Sequence, residues 1–511
     1  MNAKNSHCMN KMVILAAAMA IFATAAQAQQ RAFDRETDKL IWLNGNNAAG
    51  LRANVSSNIS YAELSAGMEK GGFKHSYEAP SLWTAGAEAR TVMHLDNFSM
   101  KGGFSFEQME GQDMCGSMFT DPGYYPVDAL EFTPGRKTRQ TYAFDGAVSV
   151  DLGSSWRLGA GLDFESSNCA KLKDLRYTDY RMDLKFTTGL TYSAGDHVFG
   201  LDYIYSKNSE TPDPEQIGTG ESSYYAFLDK GQFYGKHEVW SGSGVHLDEN
   251  GVSGFPLKEQ FNGAGLQWAY RGMYMIDVEY LYGKGSAGEK QFIWYRFPSH
   301  NLSVKLVERV EYGTKTLSFK ETVEFRQQKN SETVIEKIST NGVVITTEYG
   351  SNDILERRKF TVDLHMDVLR DAFDYGIFAH MSEDESLASQ VYPYLTDQLL
   401  DRTTLGAYGT FRSGKFEFGP ELRFTYGGIS EASRIVDESV VSSAPFRLED
   451  WYRLEAEYDT ASSMFAKAFA RFNFAKGLYI QGDVSLAKAF GIEYLGGDTR
   501  TACTARLGWT F

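Results

Sequence analysis

Apolar and polar residues alternate along most of the chain. Between Tyr180 and Tyr192, in YRMDLKFTTGLTY, apolar side chains occupy most of one parity, and charged residues or threonines occupy the other. The same alternation recurs in further segments, namely residues 156–165, 359–368, 415–426, 446–458 and 477–487. A period of two is typical of a β-strand with one apolar face. The pattern predicts an all-β fold in which each of these segments, 446–458 included, is a strand.

Strand length favours a barrel that spans a membrane over a soluble sandwich. The alternating segments are ten to thirteen residues long. Strands of soluble sheets have about five or six residues, whereas a tilted strand needs about nine to eleven to cross a bilayer. Aromatic residues also stand at strand ends on the apolar parity, as in Tyr180 with Tyr192, which is typical of interfacial aromatic girdles. We therefore expect a transmembrane antiparallel up-and-down β-barrel.

Short and long connections alternate between the predicted strands. The short turns are 95–98, 152–156, 193–196, 270–273, 411–415 and 475–477, and the long connections are 108–138, 167–178, 208–262, 284–299, 327–357 and 383–401. Short periplasmic turns and long extracellular loops are typical of bacterial barrels. Asn341 and Gly342 separate two β-branched runs, which predicts a hairpin that rises above the rim.

A provisional count along the chain gives nineteen strands. Bacterial single-chain barrels have an even number, with both termini on the periplasmic side. We therefore expect an even count of about 18, with about 14 to 20 admissible. The miscounted stretch is expected between 427 and 446 or between 300 and 326.

The chain ends on an alternating strand. Its residues divide by parity into two sets. The first set is apolar and consists of Cys503, Ala505, Leu507, Trp509 and Phe511. The second set is mostly polar and consists of Arg500, Thr504, Arg506, Gly508 and Thr510. We expect the first set to face lipid and the second to face the lumen. A last strand that pairs with the first leaves no free edge, so the sheet closes into a barrel.

The N-terminal residues have the pattern of a secretory signal. Lys4 and Lys11 precede the apolar run 12–26, and the small residues of AQA follow at 26–28, so residues 1–28 are predicted to be a signal peptide. Residues 57–511 then form the barrel. Residues 29–56 are too few for a full plug domain and form either a short plug or a lead-in that packs under the first strand, and we favour the lead-in.

Composition excludes two other classes of protein. The net charge is −15 and no long run of Lys or Arg occurs, so we expect no nucleic-acid partner. After residue 30, no stretch of about 18 uninterrupted apolar residues could span a bilayer as a helix.

Parity also assigns the charged residues that would line the lumen. These are Arg157, Asp163, Arg181, Asp183, Lys185, Glu421, Arg423, Arg453, Glu455, Lys467, Arg471 and Arg506. They indicate either a water-filled pore that selects solutes by size and charge, or a salt-bridged lining that only fills the interior. We favour a passive or substrate-selective channel for small polar solutes. A structural or accessory envelope barrel is the alternative, and a barrel hydrolase is a weaker one.

The sequence gives little support for a catalytic role. Asp363, His365 and Asp367 share the lumen parity of one strand, and a histidine beside carboxylates can act as a general base. Residues two apart on a strand do not touch easily, and no nucleophile is linked to them. HExxH, GxSxG and Walker motifs are missing from the sequence. We therefore expect no enzyme, no catalytic residues, no cofactor and no metal.

Three cysteines remain after removal of the signal peptide, which permits at most one intramolecular disulfide. Because parity places Cys503 toward lipid, the expected disulfide joins Cys115 and Cys169 in loops.

The ending and the overall plan resemble those of a known class. The final strand, with Trp509 and Phe511, resembles bacterial outer-membrane β-barrels, whose closing strand ends in an aromatic residue read by the barrel-assembly machinery. Together with WLNGNNAAGL near the N-terminus, the plan looks like that of uncharacterised Bacteroidota outer-membrane barrels. The resemblance implies a barrel in the cell outer membrane, with the lipid bilayer and the assembly machinery as partners, whereas an envelope protein is the partner expected for the accessory alternative. It implies no activity.

Overall fold

The computed structural model describes residues 33, 40–53, 58–173, 175–215, 224–233, 235–240, 255–289, 292–340, 343–389, 393–436, 448–474 and 477–511. The predicted signal peptide, residues 1–28, and the predicted turn residues Asn341 and Gly342 lie outside the described residues. Two short 3-10 helices, Ile41–Asn44 and Ala48–Arg52, precede the first strand.

The described residues form twenty β-strands and one longer helix. In chain order they are β1 (Ile59–Gly71), β2 (Ser81–His94), β3 (Phe98–Ser117), β4 (Asp128–Asp151), β5 (Trp156–Lys171), β6 (Arg176–Ala194), β7 (His197–Glu215), β8 (Tyr224–Asp229), β9 (Gly235–Trp240), β10 (Leu257–Tyr270), β11 (Tyr274–Glu289), β12 (Phe292–Tyr312), β13 (Lys315–Thr340), β14 (Val343–Leu369), β15 (Phe373–Ser389), β16 (Leu395–Ser413), β17 (Phe416–Ile435), α1 (Leu448–Thr460), β18 (Ser463–Asn473), β19 (Leu478–Ala489) and β20 (Thr499–Thr510).

Eighteen of these strands close into one antiparallel barrel. Each strand pairs with the next along the chain, except that β7 pairs with β10 across the β8–β9 hairpin, which attaches to β4 through β8. The last strand, β20, pairs with β1 over eleven residues from Tyr61 to Gly71, so the sheet has no open edge there. The predicted all-β barrel fold and its even count near 18 are confirmed.

Apolar side chains on the strands point away from the lumen. On β6, Tyr180 and Phe186 are exposed on the outside, whereas Thr187 and Thr191 are buried inside. Aromatic residues on four neighbouring strands stand side by side near the short-turn end, where Trp156 pairs in register with Tyr192, Tyr192 with Phe199, and Phe199 with Trp268. An outer apolar face with rows of aromatic residues is typical of a barrel surrounded by lipid.

Many strands continue well past the length needed to cross a membrane. β13 and β14 have 26 and 27 residues and pair with each other as far as Thr340 and Val343. Since β12 pairs with β13 only up to Glu332, and β15 pairs with β14 only up to Leu355, the hairpin projects beyond both neighbours. The prediction of a hairpin that rises above the rim agrees with this geometry. Several predicted long loops, such as 108–138 and 327–357, consist mainly of strand.

The predicted strand at 446–458 is wrong, because this segment lies largely in helix α1. Leu448, Tyr452 and Ala456 are spaced four apart and are the buried residues of the helix, so the same apolar positions fit a helical period as well as an alternating one. Glu449 lies in the first turn, where acidic residues favour a helix N-terminus, and it pairs with Arg453 one turn later at 3.0 Å.

Among the described residues, none of the helices combines the length and the apolarity that a membrane-crossing helix needs.

Candidate functional site

Residues 40–53, here called the lumenal segment, lie inside the barrel at the short-turn end. Polar side chains of β6, β10 and β11 anchor Asn46 and Asn47. Asn46 donates from Nδ2 to both oxygens of Glu279 on β11, at 2.9 and 2.8 Å. It also accepts a bond from Lys185 of β6 at 2.9 Å. The Asn47 amide donates to Gln267 of β10 at 2.9 Å.

The lumenal segment also packs closely against two separate parts of the inner barrel wall. Ile41 and Trp42 are buried against Met275 and Val307 of β11 and β12. On the other side, a Cβ added to Gly159 of β5 would lie 2.1 Å from the backbone nitrogen of Ala49. The segment therefore approaches the wall at Gly159 as closely as only a glycine permits.

The opposite side of the lumen remains accessible to solvent. Asp363 on β14 and His380 on β15 keep exposed side-chain fractions of 38% and 40%, and Arg423 on β17 keeps 45%. Gln267 and Asp277, which lie beside the lumenal segment, are 4% and 0% exposed. The segment thus fills one side of the barrel interior and leaves lumen-facing side chains near β14–β17 in contact with water.

At the long-loop end, the connection between β3 and β4 folds inward. Within it, the backbone N–H of Thr120 donates to Glu210 at 2.6 Å, and its hydroxyl donates to Asp179 at 2.7 Å. The ring of Tyr124 lies near two guanidinium groups, 5.1 Å from that of Arg181 and 4.8 Å from that of Arg326. Charged side chains of β6, β7 and β13 therefore hold this loop in the lumen.

Helix α1 also packs into the long-loop end. The hydroxyl of Tyr452 donates to Glu431 at 2.6 Å and accepts a bond from Gln398 at 2.6 Å. The guanidinium of Arg434 lies 3.5 Å from the centre of the Tyr452 ring and also bonds to Glu449. Residues 118–127, residues 227–233 and α1 are here called together the loop cap.

A largely buried ion pair joins α1 to the loop between β1 and β2. His75 Nδ1 lies 2.5 Å from Glu455, which also accepts the backbone N–H of Ser76 at 2.8 Å. Burial of His75 disfavours its charged form and by itself would lower its pKa. The hydrogen bond to Glu455 and the negative charges of Glu455, Asp459 and Glu78 outweigh this effect, so the pKa of His75 is raised. Burial likewise opposes the charge on Glu455, yet its bonds to His75 and Ser76 lower the pKa of Glu455.

A cavity of about 600 Å³ lies between the loop cap and strands β13–β16, and it is here called the central chamber. Its wall carries four cationic side chains, which are Arg326, Arg357, Lys359 and Arg402. Arg357 is engaged, because it donates to Asp384 at 2.9 Å and to the Gly123 carbonyl at 2.8 Å. Arg326 approaches Glu259 at 3.6 Å.

The other two cations are less engaged. Arg402 approaches Asp459 only at 4.0 Å. Lys359 is exposed to the chamber, and within the described part of the chain no carboxylate lies within salt-bridge distance of it. In register it stands opposite Asp384, which Arg357 already binds.

The lumen-lining residues predicted from parity lie in three groups. Asp163 pairs with Lys185 at 2.8 Å beside the lumenal segment, and Arg157 bonds to Ser193 at 2.6 Å near the turns. Arg181 contacts Asp121 of the inward loop at 3.0 Å and Asp183 at 3.4 Å.

The third group lies on β17–β20. Glu421 bonds to Arg423 at 2.5 Å, and Arg471 donates to Gln481 at 2.8 Å. Asp483 accepts a bond from Arg506 at 2.8 Å and lies 3.7 Å from Lys467. Of the lumen-lining residues predicted from parity, Glu455 alone lines the central chamber.

Two of the predicted positions need correction. Arg453 and Glu455 do not lie on a strand, because their segment is helix α1. Arg453 pairs with Glu431 at 3.0 Å, and Glu455 reaches the chamber from the loop cap rather than from the wall.

The expected disulfide is also wrong, because Cys115 and Cys169 are free thiols. Both lie in strands rather than loops, on β3 and β5, with β4 between them. Strands separated by one other strand are about 9–10 Å apart, beyond the reach of a disulfide. Cys503 is a third free thiol, exposed on the outer face.

Two of the four chamber cations lie at the edges of predicted loops, and Lys359 is the first residue of the predicted strand 359–368. Arg357 falls at the end of the predicted loop 327–357, and Arg402 follows directly after the predicted loop 383–401. The signal was present in RRKFTVDLHMD, where Arg357 and Lys359 share the parity of Asp363.

In the structure, the histidine that bonds to Asp363 of β14 is not His365 of the same strand. Asp363 bonds to His380 of β15 at 2.6 Å, while His365 stacks on Phe378. Among the described residues, no serine, threonine or cysteine side chain is hydrogen-bonded to His380.

Comparison with known proteins gives a family but no activity. The model of a family of unknown function (DUF6850) matches residues 48–511. No curated protein matches the chain.

The chain also resembles solved structures, two of which are named as metal transporters. The FrpB iron transporter from Neisseria meningitidis has 8% identity and a TM-score of 0.43, over 91% of this chain and 83% of that one. The copper transporter OprC has 8% identity and a TM-score of 0.41, over 89% and 80%. OccAB4 from Acinetobacter baumannii has 10% identity and a TM-score of 0.35, over 89% and 97%. At such values, these likenesses say nothing of what this barrel carries.

Proposed function

We propose that this chain, which belongs to the family of unknown function DUF6850, is an outer-membrane β-barrel that acts as a selective channel for small polar solutes. The observation that carries the proposal is the polar central chamber of about 600 Å³ inside a closed barrel. A chamber of this size suits a solute of a few hundred daltons, since small-molecule pockets have volumes of about 300–1,000 Å³.

The occupied ends of the lumen favour selective over free diffusion. In this proposal the lumenal segment acts as a short plug at the periplasmic end, and the loop cap narrows the extracellular end. The polar contacts of Asn46 and Asn47 support a plug that can leave the wall, because water can replace such bonds at small net cost. A solute would then pass along the exposed side of the lumen, past Asp363, His380 and Arg423.

The membrane location and the assembly partner are part of the same proposal. The outer apolar face suits a lipid environment, and with the start of β1 and the end of β20 at the short-turn end, this end would face the periplasm. Trp509 and Phe511 lie on the outer face of the closing strand, with ring centres 4.7 Å apart. There they would be available to the barrel-assembly machinery as an assembly signal.

One observation favours the accessory alternative. The β13–β14 hairpin projects beyond its neighbours, so its two outer edges have backbone groups that the barrel does not pair. An envelope protein could add a strand there. In that case the hairpin would carry the function, and the lumen would not need to conduct.

Uptake into liposomes separates the channel from the accessory barrel. The purified barrel, refolded into liposomes and verified as a heat-resistant folded band, is tested by swelling in neutral sugars of increasing size. The channel predicts uptake that falls with sugar size. Folded, inserted barrels that admit no sugar would contradict the channel and favour the accessory role.

A further inference from the structure

We infer that the central chamber is a binding site for small anions bearing carboxylate, sulfate or phosphate groups, and that it makes the channel anion-selective. This inference rests on the proposed function for its transport aspect, whereas the binding site stands on the geometry of the chamber alone.

Four cations stand close together on the wall of the chamber. Arg326 on β13 and Lys359 on β14 are direct partners in the strand register. Thr361, two residues along β14, is opposite Ser382, which is itself opposite Arg402 on β16. Cross-strand partners lie about 5 Å apart. The four cationic side chains therefore share one patch of the chamber wall.

The carboxylates of the chamber already have donors. Asp384 binds Arg357 and Asp121 binds Arg181. Glu455 and Asp459 both lie beside His75, Glu455 within hydrogen-bond distance and Asp459 at 3.9 Å.

Two further carboxylates are held by uncharged donors. Asp128 accepts the hydroxyl of Ser117 at 2.8 Å, and Asp229 accepts the backbone N–H of Gly231 at 2.9 Å. Every acidic residue that lines the chamber is thus engaged by a neighbour.

Lys359 and Arg402 consequently have donor capacity left for a ligand. The ammonium of Lys359 has three N–H donors and no carboxylate within 4.0 Å among the described residues, and the guanidinium of Arg402 has only a 4.0 Å contact with Asp459. A guanidinium can bind a carboxylate or phosphate in bidentate fashion, and an ammonium can add a point charge beside it. The pair therefore suits the anionic group of a solute.

The cations of the chamber work against the charge of the whole chain. The chain carries a net charge of −15, which repels anions at long range. At physiological ionic strength such fields are screened over about 8 Å, so the groups close to the solute decide which ions enter the chamber. The wall has six carboxylates beside its four cations, and these carboxylates have the neighbours described above, whereas Lys359 has no ion-pair partner within 4.0 Å among the described residues. Lys359 is then the residue with the greatest effect on selectivity.

Adjacent residues on β14 provide a matched test. Lys359→Glu reverses a charge inside the chamber. Arg358→Glu makes the same change on the outer side of the same strand, where Arg358 pairs with Glu356 and Glu385. Lys359→Gln removes the charge without adding a new carboxylate. The heat-resistant folded band is checked for each variant.

The first readout is the reversal potential of the bilayer-inserted barrel under a potassium chloride gradient. We expect an anion-selective wild type and a several-fold fall in the chloride-to-potassium permeability ratio for Lys359→Glu. Lys359→Gln should give an intermediate fall, and Arg358→Glu should give no change. A ratio that is the same in the wild type, Lys359→Glu and Lys359→Gln would overturn the inference while leaving the channel intact.

The second readout is calorimetric titration of the detergent-solubilised barrel with citrate, and with glucose as a neutral control. Citrate binding to the wild type and Arg358→Glu, with loss of binding in Lys359→Glu, supports the site even if the barrel passes no current. That combination would reject the channel alone. Absence of citrate binding in the wild type, or equal binding in Lys359→Glu, would overturn the anion site.

Discussion

At the scale of single residues, the contacts of the lumenal segment depend on a few wall positions at which a larger side chain would not fit. Gly159 is the clearest, because its missing side chain is the space that Ala49 occupies. Its neighbours on β5 alternate as expected, with Leu158 exposed on the outside and Arg157 facing the lumen. A larger side chain at 159 would therefore occupy the space in which the lumenal segment lies against the wall.

Gly159→Val tests whether the segment limits flow. Overpacking of this kind costs about 1–3 kcal/mol, which would shift the docked segment toward release by roughly 5- to 150-fold. Valine also suits a strand, so the barrel should still fold. We expect higher single-channel conductance than in the wild type.

Gly482→Val is the matched control, because a Cβ at this strand glycine has no neighbouring atom within 4 Å. Its conductance should equal that of the wild type. Unchanged conductance in a folded Gly159→Val barrel would show that the lumenal segment does not obstruct the path.

Residue facing was largely predictable from the sequence, whereas residue partners were not. Arg181 and Lys185 were assigned to the lumen by parity, and both side chains contact elements inside the barrel. Their partners, Asp121 and Asn46, lie 60 and 139 residues away in the chain, and no local pattern joins them. Facing depends on a period of two, but pairing depends on how loops fold back, which periodicity does not encode.

At the scale of elements, helix α1 shows where alternation misleads. Its apolar residues fit both a strand and a helix, and only their packing against β16 and β17 distinguishes the two. The lumenal segment is a similar case, since a lead-in under β1 was favoured from the sequence. In the structure, Leu40 does pack in a cluster with Tyr61 of β1, as a lead-in would, but other contacts of the segment reach β4–β6 and β10–β12. The position and the secondary structure of elements inside a lumen depend on tertiary contacts rather than on the local period of apolar residues.

Docking of α1 should depend on pH through the His75–Glu455 pair. His75 has a pKa raised above its ordinary 6.5, so its contribution is full below about pH 6.5 and is lost as pH rises through the raised pKa. Glu455 has a pKa lowered below its ordinary 4.5, so its contribution is lost only as pH falls through that lower value. Burial raises the pKa of Asp459, whose ionisation above 3.8 works weakly against docking.

We therefore expect α1 to be most protected between about pH 4.5 and 6.5, with protection falling as the pH rises further. Hydrogen exchange of residues 448–460, corrected for the intrinsic rate, measures this. Glu455→Gln should remove about 2 kcal/mol of protection, since hydrogen bonds to charged groups have that strength, and should flatten the loss at higher pH. Equal pH dependence in wild type and Glu455→Gln would show that another group controls docking.

At the scale of the whole molecule, the barrel combines a closed wall with an interior that is filled unevenly. The wall was predictable because eighteen strands repeat one simple rule, apolar outside and polar inside, and because the last strand must pair with the first. The interior was not, because the central chamber is assembled from β3, β4 and β13–β16, a helix and loops far apart in the sequence. Its position between the loop cap and the exposed side of the lumen places it on the proposed path.

The most direct measurement asks whether current passes through the chamber. Lys359→Cys and Arg358→Cys are made in a barrel whose Cys115, Cys169 and Cys503 are replaced by alanine. A bulky thiol-reactive methanethiosulfonate reagent is then added during single-channel recording. We predict that the reagent blocks the current of Lys359→Cys and leaves that of Arg358→Cys unchanged. A full, unaltered current after complete labelling of Lys359→Cys would contradict a conduction path through the central chamber.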